Sequence, residues 1–446
     1  MTYNFIVAVE KSQPSGLPLA YAPRHISSFA FWLISLAIWG LSFLTQQDFY
    51  FSVEASSATA EQVADAVAEG SLLRRLALPM MAFLGVLCLI RYRRQRLNIN
   101  GLVGWSLVAF FLWMIASILW STDPDLTGRR LFAYACLMIC AFGFTTIAFE
   151  RLPQFVTMFC GLNLALGVLA EIVLGTFHPG MAEYRFGGAV HPNLQGVNIS
   201  LLILALSSFL GENTGTQRRL AAVGLVCAGF FLLLTQSRTS LGALCLTLLL
   251  IFSIKAIREH GLGSLALPIT VLSLLGSLLL IVGILIPEAS SSHLATGVIT
   301  TQRDSGDPTS LTGRVDVWET LIDYAAQRPI LGFGHDAFWS SAHIEEVSSI
   351  DQWLINQAHN SYLELLLNLG VVGLCLYTFT LVGAWLICLR RFFNGIKSYW
   401  FASGVLLFAI LHGCLESIDV LPIFSNFLSF LVLFHIGYIW EPSENE

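Results

Sequence analysis

The sequence predicts an all-α integral membrane protein: about twelve transmembrane helices and one long loop on the outer face containing short amphipathic helices. Three observations predict it. The chain of 446 residues is 55% hydrophobic but only 12% charged, about half the charged share of a soluble domain. Mean hydropathy is +0.71. The apolar residues are also gathered into runs close to the roughly 20 residues that cross a bilayer as a helix.

Taken in order, these runs fall near 28–45, 74–90, 101–120, 130–149, 155–176, 194–210, 219–235, 239–256, 264–287, 360–389, 398–416 and 423–440. The seventh and eighth are separated only by the segment QSRTS. The chain divides into an N-terminal membrane region of about nine spans (1–287), a long loop (288–358) and a C-terminal membrane region of about three spans (359–446). The N-terminus is polar to Arg24 and has no short apolar core before a cleavage site, so the first span is expected to stay in the protein. All nine cysteines lie inside the runs and read as small apolar core residues.

Basic residues orient the chain. With the N-terminus in the cytoplasm, Lys11, Arg24, the cluster from Arg91 to Arg96, Arg151, Arg218, Arg219, Lys255, Arg258, Arg390, Arg391 and Lys397 lie inside, as positively charged cytoplasmic loops require. Both termini are then cytoplasmic. The outer face holds Arg74, Arg75, Arg129, Arg130, Arg185, Arg238, Arg303, Arg314 and Arg328, and no lysine. Solvation would use Lys and Arg alike, whereas a planar fork for phosphate favours Arg. Arg74 and Arg75 suit snorkelling at a span end; Arg185 and Arg238 stand alone in short loops.

Within the long loop, TGRVDVWETLIDYAAQRP places Val315, Trp318, Leu321, Ile322 and Ala325 at helical spacing, with Pro329 just beyond. An amphipathic helix is expected there, followed by a Gly-bearing turn in ILGFGHDAF. The start of the loop is rich in Ser and Thr.

Four outer segments then carry ionisable groups close to the bilayer, where their cost marks a site. They are WSTDPDLTGRR, YRFGGAVHPNLQG with Arg185, His191 and Asn193, TQSRTS with Arg238, and the long loop with Arg314, His359 and Asn360. Several guanidiniums suit a diphosphate and the charge on one that departs. Histidine is the side chain most able to take a proton near neutral pH. At the first turn of the tenth run, the helix dipole would favour neutral His359. His359, Leu363, Leu366, Gly370 and Gly373 would share a face on which a helix or lipid tail approaches closely, and Asn360, Glu364 and Asn368 a second, polar stripe. Asp123-Pro124-Asp125 reads as a turn and helix cap rather than a metal pair. His293, His335 and His343 read as surface residues, His412 and His435 as structural ones. No cofactor, metal or nucleic-acid motif is present.

HNSYLELLLNLGVVG carries His-Asn, nine residues, Gly, two residues, Gly, and resembles the O-antigen ligase and polymerase superfamily of bacterial envelopes. LTGRVDVWETLIDYAAQRPILGFG, FGGAVHPNLQG and LLLTQSRTSLGAL are similar to segments of the same family, and SILWSTDPDLTGRRL to its exopolysaccharide-polymerase branch. The resemblance implies a metal-independent GT-C-type glycosyltransferase of the inner membrane that needs no cofactor. It would move glycan from a polyprenyl-diphosphate-linked donor to a glycan or lipid acceptor on the periplasmic face. By motif, His359 would activate the acceptor hydroxyl and Arg185, Arg238 and Arg314 would hold the diphosphate, supported by His191, Asn193, Asn360 and Glu364. Polymerase is the first expectation and ligation to a lipid A core the alternative; a transporter or flippase is a third. A chain-length regulator is a further candidate partner.

Overall fold

Apolar runs in hydrocarbon must satisfy their own backbone, and helices do so. The computed structural model describes residues 26–46, 71–92, 95–181, 184–212, 215–261, 314–351, 355–417 and 422–442. The first eight helices are α1 (Ser28–Gln46), α2 (Leu72–Tyr92), α3 (Gly101–Ala116), α4 (Pro124–Ala148), α5 (Leu152–Leu174), α6 (Pro192–Glu212), α7 (Gly215–Leu234) and α8 (Arg238–His260). Then come α9 (Arg314–Gln327), α10 (Ser341–Asp351), α11 (Ser361–Phe393), α12 (Ser398–His412) and α13 (Phe424–Gly437). Two short strands, β1 (Gln95–Ile99) and β2 (Tyr438–Pro442), pair antiparallel.

Among the described residues nine helices, α1 to α8 and α11, are long and apolar enough to cross a membrane. The expected span 264–287, the Ser- and Thr-rich start of the long loop, His293 and Arg303 lie outside those residues. The last two apolar helices are shorter than expected, 15 residues in α12 and 14 in α13. At 1.5 Å per residue each covers only about 20 Å. α12 stops at His412, and the chain turns through Gly413 to Ser417 before α13. Helix α4 begins six residues earlier than expected, because Asp123 accepts a hydrogen bond from the Leu126 N–H and Pro124 occupies the first turn.

The core lies around α12 and α13, whose side chains are buried almost throughout. Outer helices instead expose large apolar residues such as Phe83, Ile90, Leu102 and Val226, which suits contact with lipid. Cys227 and Cys375 belong to this exposed set and Cys414 lies in the turn after α12. Only Cys88, Cys136, Cys140, Cys160 and Cys388 are buried, so the expectation that all nine fill the core is corrected.

Contacts sort the helix ends onto two faces. One face holds the β1–β2 pair, Arg258 over the Phe392 ring and His435, stacked on Phe149 and hydrogen-bonded to the Tyr399 hydroxyl. The opposite face gathers the ends of α3, α5, α7 and α12, the starts of α4, α6, α8 and α11, and all of α9 and α10.

Candidate functional site

Each site-bearing segment is shaped locally before it meets the others. Glu171, near the end of α5, accepts the backbone N–H groups of Gly187 and Gly188 at 3.1 and 2.7 Å and the Tyr184 hydroxyl. Gly188 has φ +64° and packs on Gly167 so closely that a Cβ would lie 2.4 Å from its Cα. The loop carrying Arg185 is therefore held rigidly against α5. Arg238 opens α8 directly after Ser237, which donates to Ser240 at 2.9 Å. Arg314 opens α9, which buries Val317, Leu321 and Ala325. Ile322 is 55% exposed, so the buried face is set one step from the expected one.

His359 lies before α11 rather than in its first turn. Asn360 is the N-cap, its side chain accepting from the N–H groups of Tyr362 and Leu363. His359 itself has φ +50°, a left-handed conformation that costs a non-glycine residue on the order of 1 kcal/mol and collects at functional sites. The neighbouring backbone fixes it there. Ser361 N–H donates to Gly413 C=O, the Ser361 hydroxyl to Glu416 C=O, and Asn360 N–H to the Ser417 hydroxyl.

These segments converge on a residue that the sequence reading passed over, Glu416. Its Oε2 accepts from His359 Nδ1 at 3.0 Å, and its Oε1 from Arg314 Nη2 at 2.6 Å and Asn193 Nδ2 at 3.1 Å. Asn193 Oδ1 in turn accepts from Arg185 Nη2 at 2.8 Å, while Arg185 Nε donates to Thr235 C=O. Asn193 N–H donates to His191 Nδ1 at 3.2 Å. Arg185, His191, Asn193, Arg314 and His359 thus form one hydrogen-bonded network through Glu416. Burial alone would raise the Glu416 carboxyl, but the His359 hydrogen bond and the Arg314 guanidinium outweigh it and hold it at about 2. An ionised carboxylate only accepts, so the proton of the bond between Glu416 and His359 is carried on Nδ1 of His359. Arg238 opens the helix next to this network: two residues on, Ser240, bonded to Ser237, faces His412 Nε2 at 3.2 Å, one turn before Glu416.

Glu364 and Asn368 belong elsewhere. Glu364 accepts Trp339 Nε1 at 2.8 Å and Ala358 N–H at 3.0 Å; Asn368 Oδ1 accepts Phe338 N–H. They fasten residues 328–340 to α11. Gly370 (φ +65°, ψ −173°) breaks that helix, and a Cβ on it would lie 2.1 Å from Ile330 C=O. The close approach below His359 is therefore made by loop backbone, not by a helix or lipid tail. The tryptophan-serine segment closes the other side: Trp120 Nε1 donates to Leu331 C=O, Thr122 N–H to Phe333 C=O, and Arg130 pairs with Asp336 at 3.0 Å.

His335 is buried rather than on the surface, at 2% exposure beside Tyr134, and burial and Arg130 push its imidazole down to about 3. His343 is half-buried, stacked on Phe338. His412 and His435 are bonded within the helix bundle, as expected. Glu416 was detectable only as an acid at the end of an apolar run, a position that is costly unless partnered.

Two comparisons bear on this arrangement. A family model described as O-antigen ligase matches residues 223–378, a stretch that includes Arg238, Arg314 and His359. The exopolysaccharide production protein ExoQ of Rhizobium meliloti (strain 1021) is 28% identical over 382 residues, 81% of this chain and 83% of that protein. The apolar helix bundle and these two matches support the O-antigen ligase and polymerase superfamily for this chain.

Proposed function

We propose that this chain polymerises glycan repeat units carried on a polyprenyl diphosphate, working at the periplasmic face of the inner membrane. The observation that carries the reading is the network in which Glu416 joins His359 to Arg314 and, through Asn193, to Arg185. A base and permanent cations within one network suit transfer from an anionic leaving group.

In the proposed step, Nε2 of His359 takes the proton from an acceptor sugar hydroxyl. That oxygen attacks the anomeric carbon of the donor from the side opposite the diphosphate. The bond from anomeric carbon to diphosphate oxygen breaks with inversion, and its electron pair leaves on the diphosphate. Arg185, Arg314 and Arg238 receive that charge. Because the guanidiniums outnumber the Glu416 carboxylate, the site keeps the positive surplus that a diphosphate requires. Glu416 takes no proton from the substrate; it holds the tautomer and orientation of His359 and positions Arg314. The donor's tail would lie between the apolar helices.

The reading as a polymerase draws on the relative's printed role in exopolysaccharide production. Ligation of finished glycan to a lipid A core is the second reading, favoured by the description of the matching family model. His359→Ala should abolish polymer while leaving protein level and membrane insertion unchanged. Polymer of normal length and yield in that variant refutes the transfer mechanism. A knockout that lacks polymer altogether supports the polymerase; intact chains that fail to join a lipid core support the ligase.

A further inference from the structure

We propose that the cleft between α9 and α10 is a binding subsite for an uncharged stretch of glycan chain. For the class of its ligand this rests on the transfer reading above; for its existence it rests on the cleft's own chemistry. The cleft is an open groove of about 540 Å³, within the volume range of small-ligand sites. One wall is the stripe Thr320, Asp323, Tyr324 and Gln327, spaced i, i+3, i+4, i+7 on the face of α9 that flanks its buried Val317, Leu321 and Ala325. The other wall is His343, Glu346 and Ile350 of α10, whose Ile344 and Val347 face the core.

The walls are set without a ligand. The Tyr324 hydroxyl bonds to Glu346, and its ring meets Phe338 and His343 edge-on at centroid distances of 5.3 and 5.6 Å. His343 is itself fixed by Nδ1, which donates to Phe338 C=O at 2.8 Å. Such rigidity lowers the ordering cost of binding. Carboxylates accept from sugar hydroxyls, a carboxamide and a threonine hydroxyl both donate and accept, and Tyr324 with Ile350 offers apolar surface to a sugar's C–H face. Two acids and no Lys or Arg line the cleft, so a polyanion or a second diphosphate would be repelled.

The cleft's place on α9 gives it a use. Arg314, the first residue of that helix, sits in the Glu416 network. At 1.5 Å per residue, Thr320 to Gln327 lie about 9 to 20 Å further along the axis. A chain leaving the transfer site along α9 reaches the cleft within a few sugar units.

The test uses full-length protein in nanodiscs and, as probe, oligosaccharides released by mild hydrolysis from the host strain's own polysaccharide. Binding is read by saturation-transfer NMR. Tyr324→Ala and Gln327→Ala should each weaken binding at least tenfold, while His359→Ala binds as wild type does. Gln327 is exposed, so its variant decides the matter should Tyr324→Ala fail to fold. No binding by wild type, or equal binding by wild type and Gln327→Ala, overturns the subsite. Polymer made by His359→Ala cells would instead remove the transfer reading and leave the binding result standing.

Discussion

Among single residues, Glu416 is where the chemistry and the stability of the site meet. It links a histidine, an arginine and an asparagine from three separate segments. Glu416→Gln keeps the shape but removes the charge, and strands Arg314 in a mostly buried position. Breaking such a pair costs about 3 kcal/mol, and losing the histidine's orienting partner should cut polymer yield about a hundredfold. The pH dependence follows from its carboxyl, lowered from 4.5 to about 2 by His359 and Arg314 against the effect of burial. A depressed carboxyl contributes stability that is complete above about 4.5 and disappears as the pH falls through about 2. The melting temperatures of wild type and Glu416→Gln should therefore differ most at neutral pH, with the gap narrowing below about 4.5. A gap that stays constant down to pH 3 would show that shape, not charge, makes the difference. His359 was legible in the sequence because a polar residue at the seam of an apolar run is conspicuous. Glu416 was not, since it lies 57 residues away at the end of a run where hydropathy registers only a boundary.

Between elements, residues 328–340 of the long loop are part of the bundle rather than a cover over it. Trp339 bonds to Glu364, Phe338 to Asn368, and Phe333 N–H to Leu367 C=O, while Gly370 admits the Ile330 backbone. Spacing on an ideal helix put Gly370 and Gly373 on one face with His359, but a pattern of residues carries no φ angle, so the break at Gly370 was invisible. Gly370→Ala should be severe, because a left-handed backbone costs a side chain on the order of 1–3 kcal/mol even before the clash with Ile330. Expected outcomes are a lower melting temperature and faster thermolysin cleavage before the exposed Leu331. Gly161→Ala, at a position with open space around it, should change neither. If the two variants melt alike, the loop is not anchored through this break. The helices themselves were legible because their period and length follow from hydrocarbon thickness, whereas the shortness of α12 reflects a tertiary demand, the turn that delivers Glu416.

For the whole molecule, the charge pattern and the contacts make one argument. The face that holds the Glu416 network carries Arg130, Arg185, Arg238, Arg314 and Arg328, and the opposite face carries Arg258, Arg391 and Lys397 beside the β1–β2 pair. Among the described residues lysine occurs only on that second face. Basic residues tend to be retained in the cytoplasm, so we propose that the site lies outside, where a lipid-linked glycan would be used. Cysteine accessibility checks this directly. In a background with all nine cysteines replaced, Glu346→Cys should react with a membrane-impermeant maleimide in intact spheroplasts. Asn394→Cys, exposed at the far end of α11, should react only after permeabilisation. The reverse pattern would put His359 and its arginines in the cytoplasm, and a periplasmic polymerase could not be built on them.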